Sequence, residues 1–232
     1  MTEQAYQTDR RADATRDQIL RAASQRFAQR PYHEVGLDDI LIEAGLTKGA
    51  MYFHFRSKHA LALAIIEKQL GADNLMIQDL LNRKLSGLET LIDICYVMAV
   101  RDIGEEDARA VLNLLPAIGR TGGIRGRLVA DWVKTLVMAA ERAVAEGDVV
   151  QRCDPHDVAH ALMSLYLGQR QSGNLDEPEQ FLLGIEKDWK LILPGIVTPD
   201  RLAYFSQFVR RRTALAIRTT VTPVGSAATR SR

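Results

Sequence analysis

The densest chemistry in this sequence lies in Leu46-Thr47-Lys48-Gly49-Ala50-Met51-Tyr52-Phe53-His54-Phe55, followed by Ser57-Lys58. Laid on a helix, Lys48 and Tyr52 are four residues apart and share a face, while Ala50 and Phe53 point elsewhere and are expected to seat the helix on its neighbours. Thr47 offers a hydroxyl, and Lys48 a charge, at the end that would enter a DNA major groove first. Tyr52 can touch a phosphate or a thymine methyl. Gly49 costs such a helix about 1 kcal/mol relative to alanine. Close approach of the backbone to DNA is a good reason to keep it. The competing interpretation is an ordinary helical hairpin in which Tyr52, Phe53 and Phe55 are core aromatics. The joint occurrence of Thr, Lys, Gly and Tyr behind a short capped helix favours DNA.

The elements that must position these residues are legible around them. Residues 1–9 are polar and aperiodic and are expected to form a flexible arm. From Ala14 to Gln29, the residues Ile19, Leu20, Ala23 and Phe27 recur at helical spacing, and Pro31 stops the run. Gly36 introduces a short helix from Leu37 to Ala44, with Ile40 and Leu41 inward and Asp38 and Asp39 complementing the helix dipole. Gly45 stands where a left-handed cap needs no side chain. Thr47 can cap a second short helix, and Ser57 a longer one from Lys58. Two short helices joined by a glycine turn make a helix-turn-helix, so residues 1–57 are expected to form a three-helix DNA-binding domain.

Longer amphipathic stretches follow, at Leu88 to Val100, Arg127 to Glu146, His156 to Gly168, Glu179 to Leu193 and Asp200 to Arg218. Asp154-Pro155 is a strong helix start, and Pro194-Gly195 is read as a stop. No stretch alternates apolar and polar residues, so the expected class is all-α: the small N-terminal domain plus a larger helical ligand-binding and dimerisation domain over 58–218, then a disordered tail over 219–232. Gly119, Gly122, Gly123 and Gly126, interleaved with arginines, read as a loop near a pocket entrance. They lack the Lys-Ser/Thr that a phosphate cradle needs.

The remaining chemistry is sparse. The net charge of +1 carries no signal for nucleic acid, so DNA binding must rest on local geometry. Two cysteines fit a reducing cytoplasm and cannot by themselves build a four-ligand metal site. His156 and His160 lie four apart without a third ligand and read as surface or interface histidines. No leader peptide and no apolar run of the roughly 18 residues of a membrane span is apparent, which points to the cytoplasm and to no membrane partner. No nucleophile–base–orienter set and no cofactor loop appears, so neither an enzyme nor a cofactor is expected.

The N-terminal quarter resembles the TetR family of one-component regulators. The resemblance runs through Thr15-Arg16, Ile19-Leu20, Phe27, Asp39-Ile40, Ala44 to Gly49, Tyr52 to Phe55 and Ser57-Lys58 to Leu61. It implies that Thr47, Lys48, Gly49, Tyr52 and His54 meet the DNA, with Thr15 and Lys58 on phosphates. Members commonly carry Ser or Thr at the start of the second helix. Here Gly36 precedes Leu37, so Leu37 occupies that contact region and a phosphate-binding hydroxyl is missing.

Further tags, Ile66-Glu67-Lys68-Gln69, Asp131-Trp132, Ala145-Glu146-Gly147 and Leu193-Pro194-Gly195-Ile196, look like the gamma-butyrolactone-receptor branch of actinomycetes. That resemblance implies a homodimer, paired through the helices of 156–173 and 179–193, on palindromic double-stranded operator DNA. A small-molecule autoregulator would release it from antibiotic or secondary-metabolite genes, with the helix from Lys58 as the lever. Trp132 should stack on the ligand, with Gln69 and Tyr166 lining the same cavity. Tyr166 stands where the branch often has a smaller hydroxyl residue, which admits a butenolide or alkylfuran carboxylate beside a lactone. Trp132 as a plain core anchor is the alternative, and Trp189 is assigned to packing near the dimer interface. Two other readings of the whole chain are a repressor sensing an unrelated apolar molecule or antibiotic, and a ligand-independent architectural DNA binder.

Overall fold

The computed structural model describes residues 3–118 and 124–221, without the side chains of 3–9, 124–129, 131 and 221. The glycine cluster of 119–123 and the tail from 222 onward therefore lie outside the described residues. Within them the protein is all-α: α1 Glu3–Gln29, α2 Leu37–Ala44, α3 Lys48–His54, α4 Lys58–Leu81, α5 Gly87–Gly104, α6 Glu106–Ile118, α7 Ile124–Ala145, α8 Pro155–Ser172, α9 Pro178–Ile196 and α10 Leu202–Val221. A 3-10 turn spans Tyr32–Glu34, and the sole β feature among the described residues is a single bridge between Val149 and Val197.

The caps act where the residue types place them. Gly45 adopts a left-handed φ of 62°, and the Leu46 N–H returns to the Leu41 carbonyl at 3.1 Å, closing α2. The Thr47 hydroxyl accepts from the Ala50 N–H, and Ser57 accepts from Ala60 in the same way at α4. Asp154 accepts from the His156 N–H at 2.7 Å, with Pro155 opening α8. Three expectations are corrected. α1 begins at Glu3, not near Ala14, because its first turns, rich in Ala, Glu, Gln and Arg, favour a helix without an apolar stripe. α9 runs through Pro194 to Ile196, since a proline this near the end removes only one N–H donor of the last turns. α10 continues two residues past 219, to Val221.

Contacts divide the chain into two compact units, Met1–Met76 with Glu105–Arg127, and Ile77–Gly104 with Leu128–Arg232. In the first, α1 packs on α2, α3 and α6 around Ile19, Leu20, Phe27, Ile40, Met51 and Leu61, all shielded from solvent. Polar clamps fix the register. Gln18 donates to the Ala44 carbonyl at 2.6 Å, Arg26 pairs with Glu43, and Asn113 of α6 donates to the Phe27 carbonyl at the end of α1. This unit is larger than residues 1–57, because α6 supplies part of the wall against which α1 is buried.

In the second unit α10 lies against α5 and α9, and α8 against α9. α5 and α7 meet at Gly87, where a Cβ would stand 2.3 Å from the Ala143 nitrogen and 2.4 Å from the Ala139 carbonyl oxygen. Both obstacles are backbone, so neither can rotate away. Gly87→Ala is expected to destabilise this unit by about 1–3 kcal/mol, the cost of overpacking a close helix contact. Thermal denaturation reads the effect, and an unchanged melting temperature would show that the two helices part freely. Among the described residues, no helix is long and apolar enough to cross a membrane.

Candidate functional site

α3 is anchored by one side chain. Met51 is fully buried, Ala50 and His54 are half-buried, and Phe55 closes the core just past the helix end. The opposite face, Thr47, Lys48, Gly49, Tyr52 and Phe53, is open to solvent. Phe53 is corrected here: it is 80% exposed and does not seat the helix. The helical repeat explains this, because Met51 takes the inward direction, leaving Gly49 and Phe53, four apart, on the outer face beside the Lys48–Tyr52 stripe. Tyr52 is 52% exposed, and Phe53 meets His54 edge-on at 5.0 Å. The face therefore offers one hydroxyl, one ammonium, one phenol and an aromatic ring around a glycine.

The flanks are less free than the face. Lys48 Nζ pairs with Asp38 Oδ1 at 2.9 Å, both side chains being exposed, and the Asp38 hydrogen bond raises the lysine pKa above its ordinary value. Lys58 is drawn inward: its ammonium donates to the Tyr32 and Val35 carbonyls at 2.9 and 3.0 Å and sits over the Tyr32 ring. Two of its three protons are thus spent on holding α4 to the turn before α2, leaving one for a phosphate. The Thr15 hydroxyl is half-buried and donates to the Arg11 carbonyl within α1. Leu37 is half-buried at the start of α2, where the Gly36 N–H donates to Asp39.

A cavity of about 60 Å³, several times what one water molecule needs, lies within the second unit. Its walls come from α4, α5, α7, α8 and α9 and are mainly aliphatic. Trp132 and Tyr166 both line it, as does Trp189, so the only two tryptophans of the chain face one space. The Trp132 indole nitrogen is buried and has no hydrogen-bond partner among the described residues. The other polar groups of the wall include Gln169 of α8 and Asp188 of α9. Tyr166 shows the cavity its ring, since its hydroxyl donates to Asp102, whose same carboxylate oxygen lies 2.7 Å from Arg170 Nε in an ion pair. Burial first, and the Asp102 charge second, push the Tyr166 ionisation well above the ordinary tyrosine range, so this donor stays protonated.

Comparison with known proteins bears on both features. The model of the family described as bacterial regulatory proteins, tetR family, matches residues 19–65, which span α2, α3 and the start of α4. The structure of CprB, a TetR-family protein of Streptomyces coelicolor A3(2), is 31% identical with a TM-score of 0.76, covering 88% of this chain and 98% of its own. The chain belongs to the TetR family. A gamma-butyrolactone receptor described as ArpA-like is 30% identical, with a TM-score of 0.77 over 88% of this chain and 99% of its own. The A-factor receptor protein of Streptomyces griseus is 28% identical over 202 residues, 84% of this chain and 68% of the relative. This TetR-family regulator is therefore similar to gamma-butyrolactone receptors well beyond the helix-turn-helix.

Gln69 departs from the expected grouping. It is buried in the first unit, where its amide donates to Asp73 at 3.0 Å, and it is not among the residues lining the cavity. Its place one turn before Asp73 explains this, because an i, i+4 amide–carboxylate bond consumes the group locally. Trp189 was expected only to pack. Asp102, Gln169, Arg170 and Asp188 drew no attention in the sequence. The available signal was the pairing of Tyr166 with Arg170 one helical turn apart, together with Asp102 near the end of a mostly apolar helix.

Proposed function

We propose that this TetR-family member is a ligand-released transcriptional repressor that grips operator DNA through the outer face of α3 and lets go when an oxygenated, mostly apolar signal enters the cavity of its second unit. The observation that carries this reading is the cavity itself: two tryptophans and a tyrosine around an aliphatic space, with a buried indole N–H left without a partner. A buried donor without an acceptor is costly, and a ligand carbonyl would relieve it. Such a site suits a small lactone, butenolide or alkylfuran. The names of the relatives support the class, since several are gamma-butyrolactone receptors and CprB has been solved with its operator. Control of antibiotic production, the subject of a further structure with 26% identity, is the corresponding output.

On DNA, Thr47, Lys48, Gly49, Tyr52 and His54 face the major groove, with Thr15, Leu37 and the remaining Lys58 proton toward the backbone. The functional form is a cytoplasmic homodimer. Leu165 of α8 and Leu183 and Leu191 of α9 are exposed on the two helices expected to pair, Leu191 by 81%. A two-fold dimer sets its recognition helices about 34 Å apart, so the operator is palindromic. α4 starts at Lys58 and carries Ile77, which lines the cavity, towards its end. It couples the sites if the ligand favours a geometry that DNA does not.

A mobility shift on DNA from the gene's own upstream region, titrated with a synthetic gamma-butyrolactone, tests the reading. The wild type is expected to retard the DNA and be released by the lactone. Trp132→Ala should retard it equally but need at least about tenfold more ligand, the worth of one buried hydrogen bond and an aromatic wall. Release unchanged in Trp132→Ala would sink the assignment of the cavity. A retarded band that no lactone, butenolide or furan disturbs would favour the sensing of an unrelated apolar compound.

A further inference from the structure

α1 is longer than its core requires. It spans Glu3–Gln29, yet the first buried side chain on it, among those described, is Ile19, and Arg10 to Gln18 are exposed or half-buried. From Arg11 to Ile19 the helix rises about 12 Å. Its polar residues are sorted by side. Arg11, Thr15, Gln18, Ala22 and Arg26 recur at helical spacing and form one row, whereas the exposed Asp13 and Asp17 fall on another side of the helix. The inner part of the row is taken up by α2: Arg26 pairs with Glu43, and Gln18 donates to the Ala44 carbonyl at 2.6 Å, close to the turn that leads into α3. Further out, the Thr15 hydroxyl donates to the Arg11 carbonyl, and the Arg11 side chain is exposed, with no ion pair among the described residues. The Arg16 guanidinium lies over the Phe55 ring just past α3, at 5.4 Å, so this part of α1 runs beside the recognition helix.

Resting on the DNA-binding part of the reading above, we infer that α1 carries a further DNA contact outside the helix-turn-helix: the Arg11 guanidinium takes a phosphate of the duplex backbone. In a helix-turn-helix the first helix of the pair crosses the sugar–phosphate backbone while the second enters the major groove. Arg11 stands on the side of α1 that faces this crossing helix and is carried on past its last turn, so it meets backbone and not base edges. A guanidinium suits the task, since it is permanently charged and offers two parallel N–H donors to phosphate oxygens. With Asp13 and Asp17 on another side, the row approaches a polyanion without a like charge in the way. Such a contact adds affinity without sequence preference, because phosphates carry no base information. A chain with a net charge of only +1 has little overall field to draw DNA, so individually placed cations must supply the attraction.

The test needs no signal molecule. Full-length wild type, Arg11→Ala and Arg11→Lys are titrated by fluorescence anisotropy against two duplexes of equal length, one from the gene's own upstream region and one of random sequence, at several salt concentrations. Arg11→Ala is expected to bind both duplexes about three- to tenfold more weakly, with the ratio of the two affinities unchanged. The slope of log affinity against log salt should fall by about 0.9, the counterion release of one phosphate contact. Arg11→Lys keeps the charge and should keep the slope. Arg11 is exposed and alanine favours a helix, so both variants should fold, which circular dichroism checks. An Arg11→Ala protein with the wild-type slope overturns the inference, including one that binds more weakly, since a packing role would lower affinity without releasing fewer counterions. A loss confined to the upstream duplex overturns it too, because it would make Arg11 a reader of bases. If the wild type binds neither duplex, the DNA-binding reading itself falls, whereas wild-type binding that Arg11→Ala leaves untouched removes this contact alone.

Discussion

Arg170→Ala is expected to lower the stability of the second unit by about 3–5 kcal/mol, the cost of stranding a buried charge. The Arg170 and Asp102 side chains are 5% and 1% exposed and lie 2.7 Å apart. Truncating the arginine removes this counter-charge from a carboxylate that also accepts the Tyr166 hydroxyl. For a chain of this size the loss corresponds to a fall in Tm of the order of 10 °C. The double variant Asp102→Leu/Arg170→Met removes both charges at similar volume and is expected to recover most of it, because desolvating an ion pair costs nearly what the pair returns. Scanning calorimetry of the two variants decides the matter. A single variant as stable as the wild type would mean that water reaches Asp102, and a double variant no better than the single would mean that packing, not charge, is the dominant loss. Because Tyr166 lines the cavity and bonds to the same oxygen, the single variant should also loosen the ligand wall.

Lys48→Ala and Asp38→Asn are expected to change DNA affinity in opposite directions. Lys48 is held by Asp38 at 2.9 Å in the absence of DNA, so entering the major groove requires the lysine to give up that partner. Removing the lysine should weaken operator binding by about tenfold and lower the salt slope, since one cation on the DNA is lost. Asp38→Asn frees the lysine and removes a negative charge from the reading face, so it should tighten binding several-fold. Tyr52→Ala should cost at least as much as Lys48→Ala, since it deletes the largest polar group of the exposed face, whereas Tyr52→Phe separates the hydroxyl from the ring. Mobility shifts at several salt concentrations measure all four. Equal affinities for the wild type and Asp38→Asn would show that the ion pair dissolves at no cost on approach to DNA.

What could be read from the chain alone was local in origin. Gly45, Thr47, Ser57 and Asp154-Pro155 mark helix ends through interactions with residues two to five positions away, and each cap forms in the structure. The all-α class and the exposed stripe of Lys48 and Tyr52 follow from helical periodicity, which needs no tertiary information. The joint appearance of Trp132 and Tyr166 on one cavity came from resemblance, not from spacing, because these residues sit on different helices.

Tertiary structure decided everything that depends on which of two similar groups wins a buried partner. Met51 and Phe53 are both apolar and only two residues apart, and Met51 is buried in the core while Phe53 is left outside. Lys58 could have pointed to solvent as readily as to the Tyr32 and Val35 carbonyls, 26 and 23 residues earlier. Asp102 finds Tyr166 across 64 residues, and Gln69 is taken by Asp73 within a single turn. Asp188 owes its place on the cavity wall to the packing of α9 among the other helices of its unit. Local hydrogen bonds and periodicity act over a few residues and are written in the chain. Burial is a property of the folded neighbourhood, and it alone determines which polar side chains are spent on structure and which remain for a ligand.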